Sequence, residues 1–290
     1  MTDWPVTFKC NNNCISCILN RRVTENLEDP PISQLESILE KIDENNDYLG
    51  LSGGEPTIRK DFFKILELIK EKKPELFVFL VSNGRMFKYK WFVKKLKEVK
   101  PKYFKVAVAL YGPNKELHDF ITRVKGSFEQ ALIGIKNLTE AGIDVEVRTV
   151  ISRLNYKFLP EISTLIVREF PSVERVVYLN MKYTGNAFLN RRLLLVRIKD
   201  VVPFALKAVD ILKENNINIR LYHFPLCLLP KDYWEIAKGM TKQELYEFAF
   251  AKVCMDCDLV EECPRIWKTY LYLVGEDEFK PIKLAKKKFD

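Results

Sequence analysis

The chain is organised around Cys10-Asn11-Asn12-Asn13-Cys14-Ile15-Ser16-Cys17, which brings three thiols together near the start of a 290-residue sequence. Three thiolates can hold three irons of a cubane iron–sulfur cluster and leave the fourth iron open to another ligand. A structural zinc ion is normally closed by four ligands, and no histidine lies close to this stretch. The spacing therefore predicts a deliberately incomplete metal site rather than three unrelated core residues.

A second group of cysteines lies towards the other end of the chain: Cys227, Cys254, Cys257 and Cys263. Four thiolates can fully ligate either a zinc ion or a 4Fe–4S cluster, and their spacing does not separate the two. Seven cysteines in a sequence without a secretion signal favour metal binding over disulfides. Because no apolar run approaches the length of a membrane span, we expect a soluble, cytoplasmic protein.

Strand-like and helix-like periodicities alternate between the two cysteine groups. The predicted strands are Pro5–Lys9, Tyr48–Ser52, Leu76–Val81, Phe104–Leu110, Ile143–Ile151 and Val173–Asn180. The predicted helices are Ile32–Ile42, Phe62–Lys72, Trp91–Val99, Phe128–Ala141 and Leu159–Glu169. Six parallel units fall short of the eight in a closed barrel, so we predict an α/β fold with a partial (β/α)6 TIM-like barrel. The almost continuous apolar run Leu76–Val81 suits a strand buried on both faces.

The pattern changes after about Lys182. Val201–Glu214 is a predicted helix and Ile217–Tyr222 a predicted strand, but from Phe224 onward Pro, aromatic and Cys residues replace regular periodicity. We therefore predict a barrel over residues 1–200 and a small appended metal domain over residues 201–290.

Several unusual residues follow the predicted strands, at the edge where parallel barrels gather functional groups. The turn Gly53-Gly54-Glu55-Pro56 follows the second strand, and Ser82-Asn83 follows the third. Paired glycines let a backbone approach a ligand closely. Glu55 can bind a cationic amine, and Arg123 can clamp a carboxylate. Two further polar residues are expected at turn and surface positions without a catalytic role: His118 and Asn155.

The cysteine loop, the Gly53-Gly54-Glu55-Pro56 turn and the six βα units together resemble the radical S-adenosylmethionine (SAM) enzymes over about residues 5–185. This resemblance implies a 4Fe–4S cluster on Cys10, Cys14 and Cys17, with its open iron binding the amine and carboxylate of SAM. It also implies reductive cleavage of SAM to a 5′-deoxyadenosyl radical that abstracts a substrate hydrogen, and an electron donor of the ferredoxin or flavodoxin kind.

The same resemblance assigns SAM contacts to particular residues. They are Gly53, Gly54 and Glu55 at the amine, Ser82 and Asn83 at the ribose or sulfonium, and Arg123 at the carboxylate. The sequence departs from the family in two places. Strand four reads Ala109-Leu110-Tyr111-Gly112 where many relatives carry Ser or Asp, and Ser16 stands where an aromatic residue often packs on adenine.

The cysteine-rich tail resembles the twitch or SPASM extensions of radical SAM enzymes, which carry auxiliary 4Fe–4S clusters. Four cysteines limit this chain to one such second cluster. The segment 225–230, together with Arg148 to Tyr156, is also similar to maturases of the His-Xaa-Ser peptide system. The resemblance therefore implies a peptide or protein side chain as the substrate.

The net charge of +8 leaves a second substrate class open. A basic surface suits a nucleoside or tRNA substrate, whereas a Lys/Glu-rich surface is also typical of heat-stable proteins. A small metabolite is a further alternative. A zinc-stapled, non-enzymatic interaction module would leave the cysteine loop and the Gly-Gly turn unexplained.

Overall fold

A computed structural model describes residues 2–43, 47–239 and 245–284 of the chain. Within these ranges the strands are β1 Thr2–Thr7, β2 Tyr48–Gly53, β3 Phe77–Ser82, β4 Phe104–Ala109, β5 Asp144–Ile151, β6 Arg175–Asn180, β7 Ile219–Tyr222, β8 Phe248–Ala249 and β9 Ile266–Trp267. The α-helices are α1 Arg21–Thr24, α2 Ile32–Lys41, α3 Phe62–Lys72, α4 Lys90–Val99, α5 Lys115–Thr122, α6 Ser127–Glu140, α7 Leu159–Glu169, α8 Gly185–Leu189, α9 Arg191–Leu194, α10 Ile198–Glu214, α11 Trp234–Ala237 and α12 Lys268–Val274. In this part of the chain, no helix is both long and apolar enough to cross a bilayer.

The first seven strands form one parallel sheet in which the spatial order equals the sequence order. Helices connect successive strands, so each unit is a βα crossover of the kind that builds barrels. The sheet is an open, partial TIM-like barrel, as the sequence predicts. Its seventh strand pairs with β6, which extends the barrel one strand beyond the six predicted units.

The two faces of the sheet differ in chemistry. Side chains that face the helices are apolar and fully buried, as Val78, Leu80 and Val106 illustrate. The opposite face, which lines the barrel interior, is more open, and Val81 there is 36% exposed. The prediction that Leu76–Val81 is buried on both faces is therefore wrong, because a partial barrel does not fill its interior with side chains.

The first strand also differs from its prediction. It covers Thr2–Thr7 rather than Pro5–Lys9, because residues from Thr2 onward pair with β2. The register shifts between Pro5 and Thr7, and the chain then leaves the sheet before Cys10. The cysteine loop thus begins at the carboxyl edge of the barrel.

The predicted division between residues 200 and 201 falls inside helix α10, which begins at Ile198. This helix packs on α7, and the Ser163 hydroxyl donates a 2.9 Å hydrogen bond to the Ala208 carbonyl. Beyond β7, the short antiparallel pair β8–β9 lies against the barrel, where Trp267 Nε1 donates to the Asn180 carbonyl at 3.2 Å. The tail therefore contacts the end of β6.

Candidate active site

The cysteine loop is held on one side by the turn that follows β2. The Gly54 amide donates to the Thr7 carbonyl at 2.6 Å, and the Glu55 amide donates to the Lys9 carbonyl at 2.8 Å. Gly53 has a φ of 110°, a conformation that favours glycine. A Cβ at Gly54 would stand 2.1 Å from the Lys9 carbonyl oxygen. The paired glycines therefore allow the turn to lie directly against the backbone that leads to Cys10.

Two helices hold the loop on its other side. The Asn13 amide donates to the Thr122 carbonyl at 3.0 Å, at the end of α5. From α8, the Ala187 amide donates to the Cys17 carbonyl at 2.9 Å, and the Asn186 side chain donates to the Cys14 carbonyl at 3.3 Å. Neither α5 nor α8 was predicted. The loop is thus fixed from both sides before any metal binds.

The three loop cysteines are half-buried, and they lie close enough for their charges to interact. Burial, with a smaller contribution from Glu55, raises the pKa of Cys10 to about 11. Burial also raises the pKa values of Cys14 and Cys17, and at Cys14 the charges of the two neighbouring cysteines add to the effect. Such thiols become thiolates at neutral pH only when a cation offsets the cost, as iron does.

The sulfur atoms also receive hydrogen bonds from the backbone. The Asn12 amide donates to Cys10 Sγ and the Leu19 amide to Cys17 Sγ, each at 3.4 Å. Hydrogen bonds of this kind stabilise thiolate sulfur and tune the potentials of iron–sulfur clusters. The donor set, three thiols with amide donors to sulfur, fits an iron–sulfur cluster.

Glu55 links the turn after β2 to the end of β3. Its carboxylate is 1% exposed and accepts hydrogen bonds from the Ser82 hydroxyl at 2.8 Å and the Asn83 amide at 2.6 Å. It also accepts from the Thr57 amide at 3.2 Å and the Thr57 hydroxyl at 2.5 Å. Burial raises the pKa of Glu55, although these hydrogen bonds act to lower it. Both carboxylate oxygens are therefore engaged by the protein itself.

Asn83 and Arg85 join this group to the cysteine loop. Asn83 Nδ2 donates to Asn11 Oδ1 at 2.6 Å and lies 4.0 Å from Cys10 Sγ. Arg85 Nη1 donates to the Asn11 carbonyl at 2.5 Å and to Asn12 Oδ1 at 2.8 Å. The structure therefore brings Glu55, Ser82 and Asn83 together beside the cysteine loop.

Arg123 occupies a different position. It ends α5 with a φ of 57°, directly after the Thr122 carbonyl that accepts from the cysteine loop. Its side chain is exposed and makes no hydrogen bond or ion pair with the residues that the structure describes. The guanidinium is therefore free to meet an anionic ligand beside the loop.

Sequence reasoning missed two residues of this site, Arg85 and Arg21, and it gave Tyr111 no role although it placed Tyr111 at the end of strand four. Arg85 was not singled out, although it directly follows the predicted Ser82-Asn83-Gly84 turn. Arg21 donates to the Asn12 carbonyl from the start of α1. Burial raises the pKa of Tyr111 well above its usual range, and the charges of all three loop cysteines contribute, so this phenol lies beside the thiols. Its position at the end of β4 was the available signal.

His118 and Asn155 were expected at turn and surface positions, and for surface exposure this is wrong. His118 is 1% exposed, and its Nδ1 accepts a hydrogen bond from the Tyr111 amide at 3.2 Å. Burial lowers its pKa to about 4, which keeps the imidazole neutral. Asn155 does sit at a turn, but it is fully buried, and its Nδ2 donates to the Tyr111 carbonyl at 3.1 Å.

The four tail cysteines converge on one pocket, whose wall they share with Lys280 and with apolar residues: Pro225, Phe250, Leu259, Val260, Pro264, Ile266 and Ile282. The Leu226 amide donates to Cys263 Sγ at 3.4 Å, and the Ile282 amide donates to Cys257 Sγ at 3.3 Å. Burial raises the pKa of Cys263 to about 12. The tail thus presents four thiols to one enclosed space.

Neither thiol group is as tight as a site for one ion. Across residues 2–43, 47–239 and 245–284, no three His, Cys, Asp or Glu side chains form a ready-made site for a single metal ion. A cubane cluster is larger than one ion, so its thiolates stand farther apart. The arrangement of thiols is compatible with that larger group.

Two curated proteins are each similar to more than half of the chain. The chain is 28% identical over 232 residues to the Fe-coproporphyrin III synthase of Methanosarcina barkeri, covering 79% of this chain and 54% of that protein. It is 29% identical over 172 residues to the mycofactocin maturase MftC of Mycolicibacterium smegmatis, covering 57% and 41%. The chain therefore spans about half the length of the curated relatives it matches.

Solved structures share the fold. Streptococcus suis SuiB bound to S-adenosylmethionine superposes with a TM-score of 0.66 at 16% identity, covering 98% of this chain and 76% of that chain. The anSMEcpe structure with bound AdoMet gives a TM-score of 0.62 at 17% identity, covering 90% and 87%.

The family itself is decided by the sequence match over the barrel. Residues 4–159, more than half of the chain, match the Radical SAM superfamily. The matched region contains the cysteine loop, the Gly-Gly turn and the end of β3, whose contacts are described above. The chain belongs to the Radical SAM superfamily.

Proposed function

We propose that this protein is an enzyme that reductively cleaves SAM and uses the resulting radical to modify a substrate. The observation that carries the proposal is the loop of Cys10, Cys14 and Cys17, which the turn after β2 and the helices α5 and α8 fix at the carboxyl edge of the barrel. Such a loop offers three ligands and leaves a fourth coordination place free.

We assign the residues the following roles. Cys10, Cys14 and Cys17 hold a 4Fe–4S cluster, which when bound supplies the electron that cleaves SAM to methionine and a 5′-deoxyadenosyl radical. The backbone of Gly53 and Gly54 lies against the methionine amine, and Arg123 pairs with the SAM carboxylate. Because its oxygens are already engaged, Glu55 acts on the amine by holding this turn, together with Ser82 and Asn83.

The tail holds a second, auxiliary cluster in this proposal. Four thiols around one apolar pocket, with two backbone amides directed at sulfur, support a fully ligated 4Fe–4S cluster of the twitch or SPASM type. The sequence divides the chain into a barrel over residues 1–200 and an auxiliary domain over residues 201–290, and we propose to move this boundary beyond β7, because α10 packs on α7 and β7 pairs with β6. A ferredoxin-like or flavodoxin-like protein supplies electrons, in the reducing cytoplasm.

A peptide or protein side chain is the substrate that we favour. The relatives support it by name, since MftC is a mycofactocin maturase and SuiB has been solved with the precursor peptide SuiA. A small metabolite is the second candidate, because the relative that covers 79% of this chain is an Fe-coproporphyrin III synthase. A nucleotide is a third, and the chain is 28% identical over 148 residues to a GTP 3′,8-cyclase of Campylobacter curvus.

The test of SAM cleavage uses anaerobically reconstituted protein with dithionite and SAM. We expect 5′-deoxyadenosine and methionine in equal amounts from the wild type, and at least a hundredfold loss in Cys14→Ala. The Cys257→Ala variant is the matched control, because it removes a thiol from the tail. Cleavage that persists in Cys14→Ala would refute the cluster assignment. For the substrate class, salt-sensitive retention of tRNA would favour a nucleic acid.

A further inference from the structure

The barrel interior contains a row of paired charges on three neighbouring strands. Glu146 on β5 has a side chain that is only 2% exposed, and its Oε1 lies 2.5 Å from Arg148 Nε. Its Oε2 lies 3.7 Å from Arg175 Nη1 on β6. Arg175 also contacts Glu174 at 3.2 Å, and Lys105 Nζ on β4 lies 2.9 Å from Glu174.

Arg148 is the arginine of this row whose terminal guanidinium nitrogens make no hydrogen bond or ion pair with the described residues, whereas those of Arg175 pair with Glu146 and Glu174. Lys105, Glu174, Arg175 and Glu146 balance as two positive and two negative charges, so Arg148 is an additional cation at the end of the row. Its side chain retains 23% exposure, whereas its partner Glu146 is almost completely covered. A partly desolvated cation of this kind is stabilised by an anion.

The position of Arg148 places its guanidinium in the middle of the barrel. The guanidinium carbon lies 4.6 Å from the ring centre of Phe79 on β3 and 5.9 Å from that of Tyr222 on β7. These strands lie two places to either side of β5 in the sheet order, so a side chain that reaches both lies over the centre of the interior.

The free edge of Arg148 is the part that can bind a ligand. The guanidinium carbon lies over the Phe79 and Tyr222 rings, and Glu146 accepts from Nε. The terminal nitrogens Nη1 and Nη2 make no hydrogen bond within the described residues. Two parallel N–H groups of a guanidinium match the two oxygens of one carboxylate. A phosphate dianion carries two negative charges, whereas the row leaves only the one positive charge of Arg148 without a balancing carboxylate.

The backbone of Arg148 lies at the carboxyl edge of the sheet, and its guanidinium reaches the ring of Phe79 in the interior. Phe79 precedes Ser82 by three residues, which corresponds to roughly 10 Å along the strand. Arg148 is in register with Ala109, the last residue of β4. A molecule that enters from the carboxyl edge, past the cysteine loop, therefore reaches Arg148 as it fills the interior.

We propose that Arg148 binds a carboxylate of the substrate, so that the enzyme acts on an acidic peptide segment whose Asp or Glu side chain, or terminal carboxylate, enters the barrel. The proposal rests on the proposed function in taking the barrel interior as the substrate site. It makes Arg148 a determinant of specificity, and it leaves SAM binding to residues at the strand ends.

The test measures peptide binding by calorimetry to the reconstituted protein with SAM bound and no reductant. Three acetylated tripeptides are the probes: Gly-Glu-Gly amide, Gly-Gly-Gly with a free terminal carboxylate, and Gly-Gln-Gly amide. We expect one of the two carboxylate peptides to bind at least tenfold more tightly than the Gln peptide, and which one binds identifies the source of the carboxylate. Arg148→Gln should abolish that preference, and Arg148→Lys should keep part of it.

Two controls keep the result interpretable. Glu146→Gln/Arg148→Gln removes both charges of this ion pair, so it should lose the preference while the net charge of the row stays the same. Arg168→Gln alters an exposed arginine on α7 and should behave as the wild type. An equal affinity for all three peptides, an unchanged preference in Arg148→Gln, or a loss of SAM affinity in that variant would overturn the proposal. Failure of the wild type to cleave SAM would instead refute the proposed function, because this binding needs no turnover.

Discussion

At Gly54 the turn after β2 lies so close to the cysteine loop that one methyl group does not fit. A Cβ there would stand 2.1 Å from the Lys9 carbonyl oxygen and 2.6 Å from the Lys9 carbonyl carbon, and both are backbone atoms. Gly54→Ala must therefore push the loop away, at a cost of about 1–3 kcal/mol in stability. We expect the barrel cluster to be lost, as a fall in iron content and at least a tenfold loss of SAM cleavage.

Gly142→Ala is the matched control for this prediction. Gly142 has a positive φ of 70°, which Gly54 does not, and a Cβ there would meet no heavy atom within 4 Å. The variant should lose about 1 kcal/mol of stability from backbone strain and keep its iron. Equal iron loss in both variants would show that general destabilisation, and not the contact with Lys9, is responsible.

Individual residues also mark the limit of what the sequence predicts. Glu55 is easily located by the Gly-Gly turn, but two of its four hydrogen bonds, from Ser82 and Asn83, depend on the approach of β3, whose last residue lies 27 residues away. The environment of His118 also depends on contacts between separate elements. A lone histidine in a polar segment looks exposed, yet Tyr111 and Phe128 pack on its ring. Long-range packing, rather than local pattern, decides both environments.

At the scale of the elements, the four-cysteine pocket of the tail should hold half of the protein's iron. With two cubane clusters the wild type holds about eight irons, and Cys257→Ala should hold about four, because four irons form each cluster. SAM cleavage without substrate should survive, since the cysteine loop contacts the barrel, α5 and α8. Iron analysis and 5′-deoxyadenosine formation measure the two effects.

Cys14→Ala provides the reciprocal control for the two clusters. It should also hold about four irons, but without SAM cleavage. A wild type with about four irons and one zinc would contradict the auxiliary cluster. Complete iron loss in Cys257→Ala would show that the barrel cluster depends on an intact tail. The hydrogen bond from Trp267 to Asn180 would account for such a dependence, because it joins the tail to the end of β6.

Most regular elements could be predicted because their period is local. The helices Phe62–Lys72 and Leu159–Glu169 were predicted with the bounds that the structure has. Helices α5 and α8 were not, because eight and five residues carry too little periodicity. The sequence motif therefore located the cysteines, while the two helices that hold their loop became apparent only from the fold.

At the scale of the whole molecule, the chain has two histidines, and both are buried in the native state. His223 packs against the stacked rings of Phe248 and Trp267, with ring centres 5.2 and 4.4 Å away, and it joins β7 to the tail. His118 joins the end of β4 to α6. Burial lowers the pKa of each imidazole to about 4. Protonation therefore opposes the packing of both regions.

The sign of the resulting pH dependence follows from linkage. In the unfolded chain a histidine titrates near pH 6.5, so between about pH 6.5 and 4 the unfolded state binds more protons than the native state. Stability from this source is complete above about pH 6.5 and falls as the pH decreases. Between pH 7 and 5 we expect each histidine to contribute a loss of about 2 kcal/mol.

Urea unfolding of the metal-free, reduced protein at the two pH values measures this loss. His118→Gln keeps an acceptor for the Tyr111 amide but cannot titrate, so the difference between pH 7 and 5 should shrink by about 2 kcal/mol. Carboxylates titrate alike in both proteins and cancel in the comparison. An unchanged pH dependence in His118→Gln would mean that His118 is protonated without loss of packing, and that the end of β4 tolerates a charge beside the thiols.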